Sequence, residues 1–324
     1  MTDIVKPVAP ARAFLSDDFL QILYRLLAAL MICTMLAVST ESFLYLANIL
    51  NVLRQTSLLF FIASGLTLVV LTAGLDLSVG ANVALSACVA GTVIHQSGQP
   101  VLGVFAALAT GATVGVLNGA MVAALRIPSF IATYGMLWVL NGLTYWYMAG
   151  EVIHGFPPAF RQIGSGYLLG LPTPVYLLVI FLAIGAIFAQ RTVWGQEIYA
   201  IGANPTAAQL SGIPMSRRLL LVYAMSGTMA GLASVIFLAR LNSAEADIGE
   251  SLTLPAIAAV LIGGTSLFGG VGSVFGTFVG ALILTLVLNG MNLLAVNSSW
   301  QPLVTGVIVI LAVWLDTKAR RRRL

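Results

Sequence analysis

The chain has 324 residues, 59% of them hydrophobic and 8% charged, with a formal net charge of +4. An average soluble domain carries roughly 25% charged residues, so this composition, with a mean hydropathy of +1.01, excludes a protein that keeps its surface in water. The sequence also contains no GxxxxGKS or GxxxxGKT phosphate loop, so whatever the chain does, it is not expected to hydrolyse ATP by itself or to be an enzyme.

The apolar residues lie in continuous runs rather than in the ten-residue alternation of a membrane β-barrel. A span needs about 20 apolar residues, and helices satisfy their own backbone polar groups in lipid. The pattern therefore predicts an all-α polytopic membrane protein of about ten spans, near 20–40, 55–73, 77–95, 100–125, 130–149, 172–190, 218–239, 252–268, 271–294 and 300–316. The first run begins only after Asp17 and Asp18 and is long enough to cross, so it is expected to be a membrane helix and not a cleaved leader. This division gives an N-terminal segment 1–19, a membrane domain 20–316 with an internal loop 191–217, and a basic tail 317–324.

Charge orients the spans. With both termini cytoplasmic, Lys6, Arg12, Arg126, Arg191, Arg217, Arg218, Lys318 and Arg320 to Arg323 fall inside. Only Arg54, Arg161 and Arg240 fall outside, as the positive-inside rule requires. The tail acts as a topology anchor. Cys33 and Cys88 read as small buried hydrophobes. His95 and His154 match no ligand spacing, and no resident metal or cofactor is expected.

Two echoes run through the chain. Val116-Leu117-Asn118-Gly119 recurs as Val287-Leu288-Asn289-Gly290, and Gly74-Leu75-Asp76-Leu77-Ser78 is answered by Gly249-Glu250-Ser251-Leu252-Thr253. They predict an inverted repeat of spans 2–5 against 7–10, a transporter plan that puts the pathway between the halves. Gly111, Gly115 and Gly119, and likewise Gly272, Gly276 and Gly280, recur every four residues and predict close helix packing without ligand contact.

Polar residues inside the spans are the candidates for a pathway. Asp76 lies at a break between spans two and three, where it can cap the third span or serve as a pathway carboxylate. Asn82, Asn118, Asn141, Asn289 and Asn292 are intramembrane amides, which suit a helix contact or a hydroxyl-rich solute. Trp138, Asn141 and Tyr145 share one face of the fifth span, flanked by Tyr134 and Trp146. The low charge of the spans points to an uncharged solute.

The internal loop contains a short capped helix. Asn204 suits the N-cap and Pro205 the first helical position, while Gly212 suits the left-handed position after the end. Two turns of helix are marginal alone in water. The segment Asn204, Pro205, Ala207, Ala208, Leu210, Ser211 and Gly212 is therefore expected to dock against another protein, with Ala207, Ala208 and Ser211 permitting close approach, the alternative being a local helix lying on the membrane surface.

Several of these segments resemble one family. Gly74 to Gly80 resembles the GIDLSVG stretch of sugar importer permeases driven by an ATP-binding cassette, the family of the ribose permease. Tyr199 to Ile213, Ile262 to Gly270 and Asn289 to Leu294 resemble it too. The resemblance runs from about residue 50 to the C-terminus. It implies a core of two permease subunits, homo- or heterodimeric, in the bacterial inner (plasma) membrane. It also implies a cytoplasmic ATPase that binds ATP and magnesium, a periplasmic sugar-binding protein, and no nucleic acid. The 204–212 segment would then seat in the ATPase and transmit its closure as alternating access. Where relatives read ELDAIAAV this chain has Thr253-Leu254-Pro255-Ala256-Ile257-Ala258-Ala259-Val260. Both acids are absent, which puts in doubt the transfer of their role and of ribose itself as solute; the resemblance implies a monosaccharide, a ribose-like pentose, a hexose or a related polyol. The competing functions are a permease for another small solute on the same scaffold, a proton-coupled secondary transporter using Asp76, and a passive channel or structural subunit.

Overall fold

The computed structural model describes residues 12–249 and 251–321; the expected cytoplasmic position of Lys6, the echo residue Glu250 and the end of the basic tail at 322–324 lie outside the described residues. In chain order it runs α1 (Arg12–Ser39), a 3-10 turn Glu41–Leu44, α2 (Leu46–Leu71), α3 (Val79–Ser97), α4 (Pro100–Ala123) and α5 (Ser129–Met148). Then come β1 (Ile153–His154), α6 (Pro158–Ser165), β2 (Tyr167–Leu168), β3 (Leu171–Pro172), α7 (Thr173–Arg191), α8 (Val193–Ala203) and α9 (Pro205–Leu210). The chain closes with α10 (Met215–Leu241), β4 (Ser243–Ala244), α11 (Thr253–Ile262), α12 (Val274–Leu293) and α13 (Gln301–Arg321). The strands form two two-residue antiparallel pairs, β1 with β4 and β2 with β3.

Eight of the described helices are long and apolar enough to cross a membrane. Two predicted spans are not among them. The one expected over 252–268 is the ten-residue α11, about 15 Å of helix at 1.5 Å per residue, which is half a bilayer core. It stops because Gly263 and Gly264 open a loop in which Gly264, Gly269 and Gly270 all take positive φ. The other, α5, is long enough at 20 residues, but its Tyr, Trp, Thr and Asn residues dilute its apolar run. The span expected from residue 55 begins at Leu46, its first two turns hidden by Asn48, Asn51 and Arg54.

The core sits around α2. Phe60, Phe61, Ile62 and Leu66 are fully buried there among residues of α7, α10, α11 and α12. Three hydroxyls of α2 are satisfied within the helix, as lipid favours: Ser57, Ser64 and Thr67 donate to the carbonyls of Leu53, Phe61 and Ala63, whereas Thr56 Oγ1 is buried without a hydrogen-bond partner. Thr67 and Thr277 meet across α2 and α12 with oxygens 2.6 Å apart.

The two halves run in opposite directions. Gly111 of α4 faces Gly227 of α10 while Gly119 faces Leu220, so α4 and α10 are antiparallel. Gly263 faces Gly276 and Ala259 faces Gly280, so α11 and α12 are antiparallel too. Asn48 meets Asn289 and Thr67 meets Thr277, which sets α2 against α12. Tyr223 reaches Leu75 while Gly65 touches Ser226 and Met229, which sets α2 against α10. The helix pairs α2/α10, α3/α11 and α4/α12 are therefore each inverted. Ser129 and Thr133 bind beside the start of α3, and Asp316 beside the end of α11, which adds α5/α13 to the series. The second echo segment also meets the first turn of α3, two residues beyond the first echo segment, because the Gly80 N–H donates to Thr253 Oγ1 at 3.2 Å. The glycine rows are not equivalent under this relation: the α4 row packs on α10, whereas Gly276 and Gly280 pack on α11.

Candidate functional site

One end of the bundle gathers most of the segments predicted to lie inside. Gly270 N–H donates to Leu71 O at 2.9 Å, Leu75 N–H to Ser129 Oγ at 3.2 Å, and Ser216 Oγ to Ala123 O at 3.4 Å. Asp316 Oδ2, near the end of α13, accepts from Ser266 Oγ and from Leu267 N–H.

At this end α9 projects as a knob. Asn204 Oδ1 accepts from Ala207 N–H at 3.0 Å and Pro205 opens the helix. The other end is closed by two bonds, Gly212 N–H to Gln209 O at 3.0 Å and Ile213 N–H to Ala208 O at 3.1 Å, with Gly212 at φ 81°. That pair of bonds around a left-handed glycine is a Schellman closure. Ala207, Leu210 and Ser211 are exposed, Leu210 by 85%. Ala208 is buried against its own chain, so the exposed face of this segment runs through Ala207, Leu210 and Ser211, and Ala208 is its inner support.

The knob is tied to the core by α8, which lies within the stretch read as a polar loop. Thr192 caps α8 through a bond from Gly195 N–H at 3.0 Å. Ile198 and Ile201 are buried. Gly202 lies flush against the end of α2 and the glycine loop, where a Cβ would collide with Leu71 O and the Gly270 nitrogen. Tyr199 Oη donates to Gly272 O at 2.9 Å. Arg218 pairs with Glu197 and lies over the Trp194 ring, 5.3 Å from its centroid. The sequence signal for this seat was the density of glycines in 263–272, which close backbone approach and left-handed turns together explain.

The pathway candidates divide into three groups. Asp76 is 2% exposed, and its Oδ1 accepts from Ser78 N–H at 3.0 Å and Ser78 Oγ at 2.7 Å. It forms an Asx turn leading into α3, whose N-cap is Ser78 itself, so Asp76 is not the cap. Asn118 Nδ2 donates to Ser78 Oγ at 2.8 Å, and Asn118 Oδ1 is buried without a hydrogen-bond partner. Asn82 Nδ2 donates to Gly111 O at 3.2 Å and its Oδ1 accepts from Ser86 Oγ. These residues form one cluster at the α3–α4 contact.

Asn289 and Asn292 lie towards the other end. Asn289 exchanges two hydrogen bonds with Asn48, at 2.8 and 3.2 Å, and Asn292 Oδ1 accepts from Gln301 Nε2 at 2.8 Å. The shared Asn of the two echoes thus serves different partners. Trp138, 61% exposed, and the half-buried Asn141 form the third group, on an outward face of α5. The seven pathway candidates do not converge on one site.

Inverted four-helix halves, a short capped helix wedged against the central helix, and a buried polar cluster define the class: a polytopic membrane permease subunit. A family model described as the branched-chain amino acid transport system / permease component matches residues 48–313. The ribose import permease protein RbsC of Escherichia coli K12 is 41% identical, covering 90% of this chain and 92% of that protein. RbsC of Bacillus subtilis 168 is 40% identical over 93% and 94%, and the xylose transport system permease protein XylH of Escherichia coli K12 is 34% identical over 87% of each. No solved structure matches the chain. The chain belongs to this permease family, among its ribose-permease-like sugar members.

Proposed function

We propose that the chain is the membrane subunit of an ATP-driven importer that carries a monosaccharide, whether a pentose, a hexose or a related polyol, into the bacterial cytoplasm. It sits in the inner (plasma) membrane with the α9 end in the cytoplasm. A second permease subunit, homo- or heterologous, completes the pathway. A periplasmic binding protein delivers the solute, and a cytoplasmic ATPase binds ATP and magnesium and seats α9.

The observation that carries this reading is the mechanical continuity of the knob. Leu210 is exposed at its tip while Gly202, two residues before the cap, rests on the Leu71 carbonyl at the end of the central helix. Force on α9 therefore reaches α2, and through Gly270 and Tyr199 it reaches the glycine loop that joins α11 to α12. A rigid push there rocks one inverted half against the other, the motion alternating access needs. The amino acid description of the family model makes another small solute the runner-up, and the sugar names of the relatives favour the first.

The test is reconstitution with the partner ATPase and binding protein in proteoliposomes without a proton gradient. The reading expects labelled sugar to accumulate only with ATP. Uptake that ignores ATP and follows a proton gradient would refute it.

A further inference from the structure

The end of the bundle opposite α9 holds a cavity of about 640 Å³ between α2, α10, α11, α12 and α13, a size suited to a small organic ligand. Gln55, Thr285, Gln301 and Thr305 supply neutral hydrogen-bonding groups and Phe237 an apolar wall. Among the described lining residues the only charged one is Arg240, in the last turn of α10.

Arg240 and Arg54 were expected in external loops. Both instead stand on helices and are half-buried. Arg54 precedes Gln55 of the cavity wall and lies near enough to Arg240 for their charges to repel. Its Nε and Nη2 are buried without a hydrogen-bond partner, and its guanidinium lies over the Tyr167 ring at 5.0 Å. Among the described residues neither arginine pairs with a carboxylate. Two like charges withdrawn from water without a counterion are unfavourable. Pro255, in the first turn of α11, is also part of the cavity wall.

We infer that this cavity receives a hydroxylated solute bearing a carboxylate, a sugar acid, with Arg240 as the specificity-determining residue and Arg54 reinforcing the positive potential. The inference rests on the importer reading and narrows its solute. The low charge of the spans argues for a neutral solute, but an uncompensated arginine pair beside neutral amides and hydroxyls is a better match to a polyol with one anionic group. Lipid phosphate and an acidic side chain of the binding protein are the other sources of an anion. The cavity favours the solute because it lies among five helices and carries the neutral hydrogen-bonding groups a polyol needs.

The experiment measures ATP-driven uptake by the complete importer of labelled pairs: ribose and ribonate, xylose and xylonate, glucose and gluconate. The acid of at least one pair should enter at least tenfold faster than its neutral partner. Arg240→Gln should lower that uptake tenfold or more, and Arg240→Lys should retain most of it. Pro255→Asp sets a carboxylate beside Arg240 at a helix position that tolerates acids; it should abolish the preference at unchanged membrane level. Neutral solutes preferred throughout, with these variants silent, overturn the inference and leave the importer standing. Equal loss of acid and neutral uptake in Arg240→Gln, with the binding protein no longer retained, assigns the arginine to that partner and also overturns it. A preference that switches in Glu250→Gln makes Glu250 the counterion, with the same consequence. No ATP-driven uptake of any member overturns the inference, while the importer reading falls only to uptake that ignores ATP and follows a proton gradient.

Discussion

Asp76 shows how one side chain separates two mechanisms. Its Oδ1 takes both bonds from Ser78, and Ser78 Oγ in turn accepts from Asn118. An amide oxygen can accept the same two bonds but cannot carry a proton. Asp76→Asn should therefore keep ATP-driven uptake within about twofold of wild type, whereas Asp76→Ala should lose folded protein, since orphaning buried donors costs about 1–3 kcal/mol. Uptake and membrane level together decide. Abolished transport in a well-inserted Asp76→Asn protein would restore the proton-carrier reading. Gly212 offers a second test at this scale. Its φ of 81° costs an ordinary L-residue roughly 1–2 kcal/mol, and a β-branched side chain suits it least. Gly212→Val should leave insertion intact and uncouple ATP hydrolysis from uptake, while Gly212→Asn, which tolerates the left-handed region, should stay coupled. Normal coupling in the valine variant would remove α9 from the drive train.

Among elements, α9 was legible because its signals are local: Asn204, Pro205 and Gly212 each report backbone geometry within a few residues. The helix behind it was not legible. Thr192 to Ala203 mixes Gln196 and Glu197 with Ile198 and Ile201, and a short amphipathic helix among polar residues looks like loop until its apolar side is seen against α7 and α10. The length of α11 was misread for the opposite reason. The expected span runs across Gly263-Gly264-Thr265-Ser266 to Leu267 and Phe268, whereas the helix ends at Ile262 and Gly264 takes the left-handed conformation that turns the chain away. The pathway amides were read as one set, yet composition carries no information on which end of a bundle a residue occupies. The α4–α10 contact was readable in kind, because glycines four apart announce close packing, but its partner helix was not. Gly111 meets the backbone of Gly227 and Gly231, so Gly111→Leu has no space to enter. Overpacking of this kind costs about 1–3 kcal/mol or more. The variant should lower the midpoint of thermal unfolding in detergent, whereas Gly135→Leu, where nothing stands in the way, should not. Equal stability of the two would mean α4 and α10 are not in contact in the membrane.

At the scale of the whole molecule, the inverted halves make a prediction about sidedness that the helix directions alone leave open. The α9 knob and the β2–β3 hairpin lie at opposite ends of the bundle, because α7 begins next to the hairpin and ends next to α8. Basic residues concentrate at the knob end, at Arg126, Arg191, Arg217, Arg218 and Lys318, and the positive-inside rule puts that end in the cytoplasm. Leu210 and Leu169 are 85% and 92% exposed, so a thiol at either site is open to reagent. In a background with Cys33→Ala and Cys88→Ala, Leu169→Cys should react with a membrane-impermeant maleimide in intact spheroplasts. Leu210→Cys should react only in inverted vesicles, and addition of the partner ATPase should then protect it. The protection arm tests docking independently of sidedness. If the label reaches Leu210→Cys from outside, the molecule is upside down relative to this account and no cytoplasmic ATPase can drive it. If it reaches Leu210→Cys from inside but the ATPase gives no shelter, the orientation stands and the force must enter elsewhere on that face. The α8 surface around Val193 and Trp194, also exposed, would then be the next element to probe.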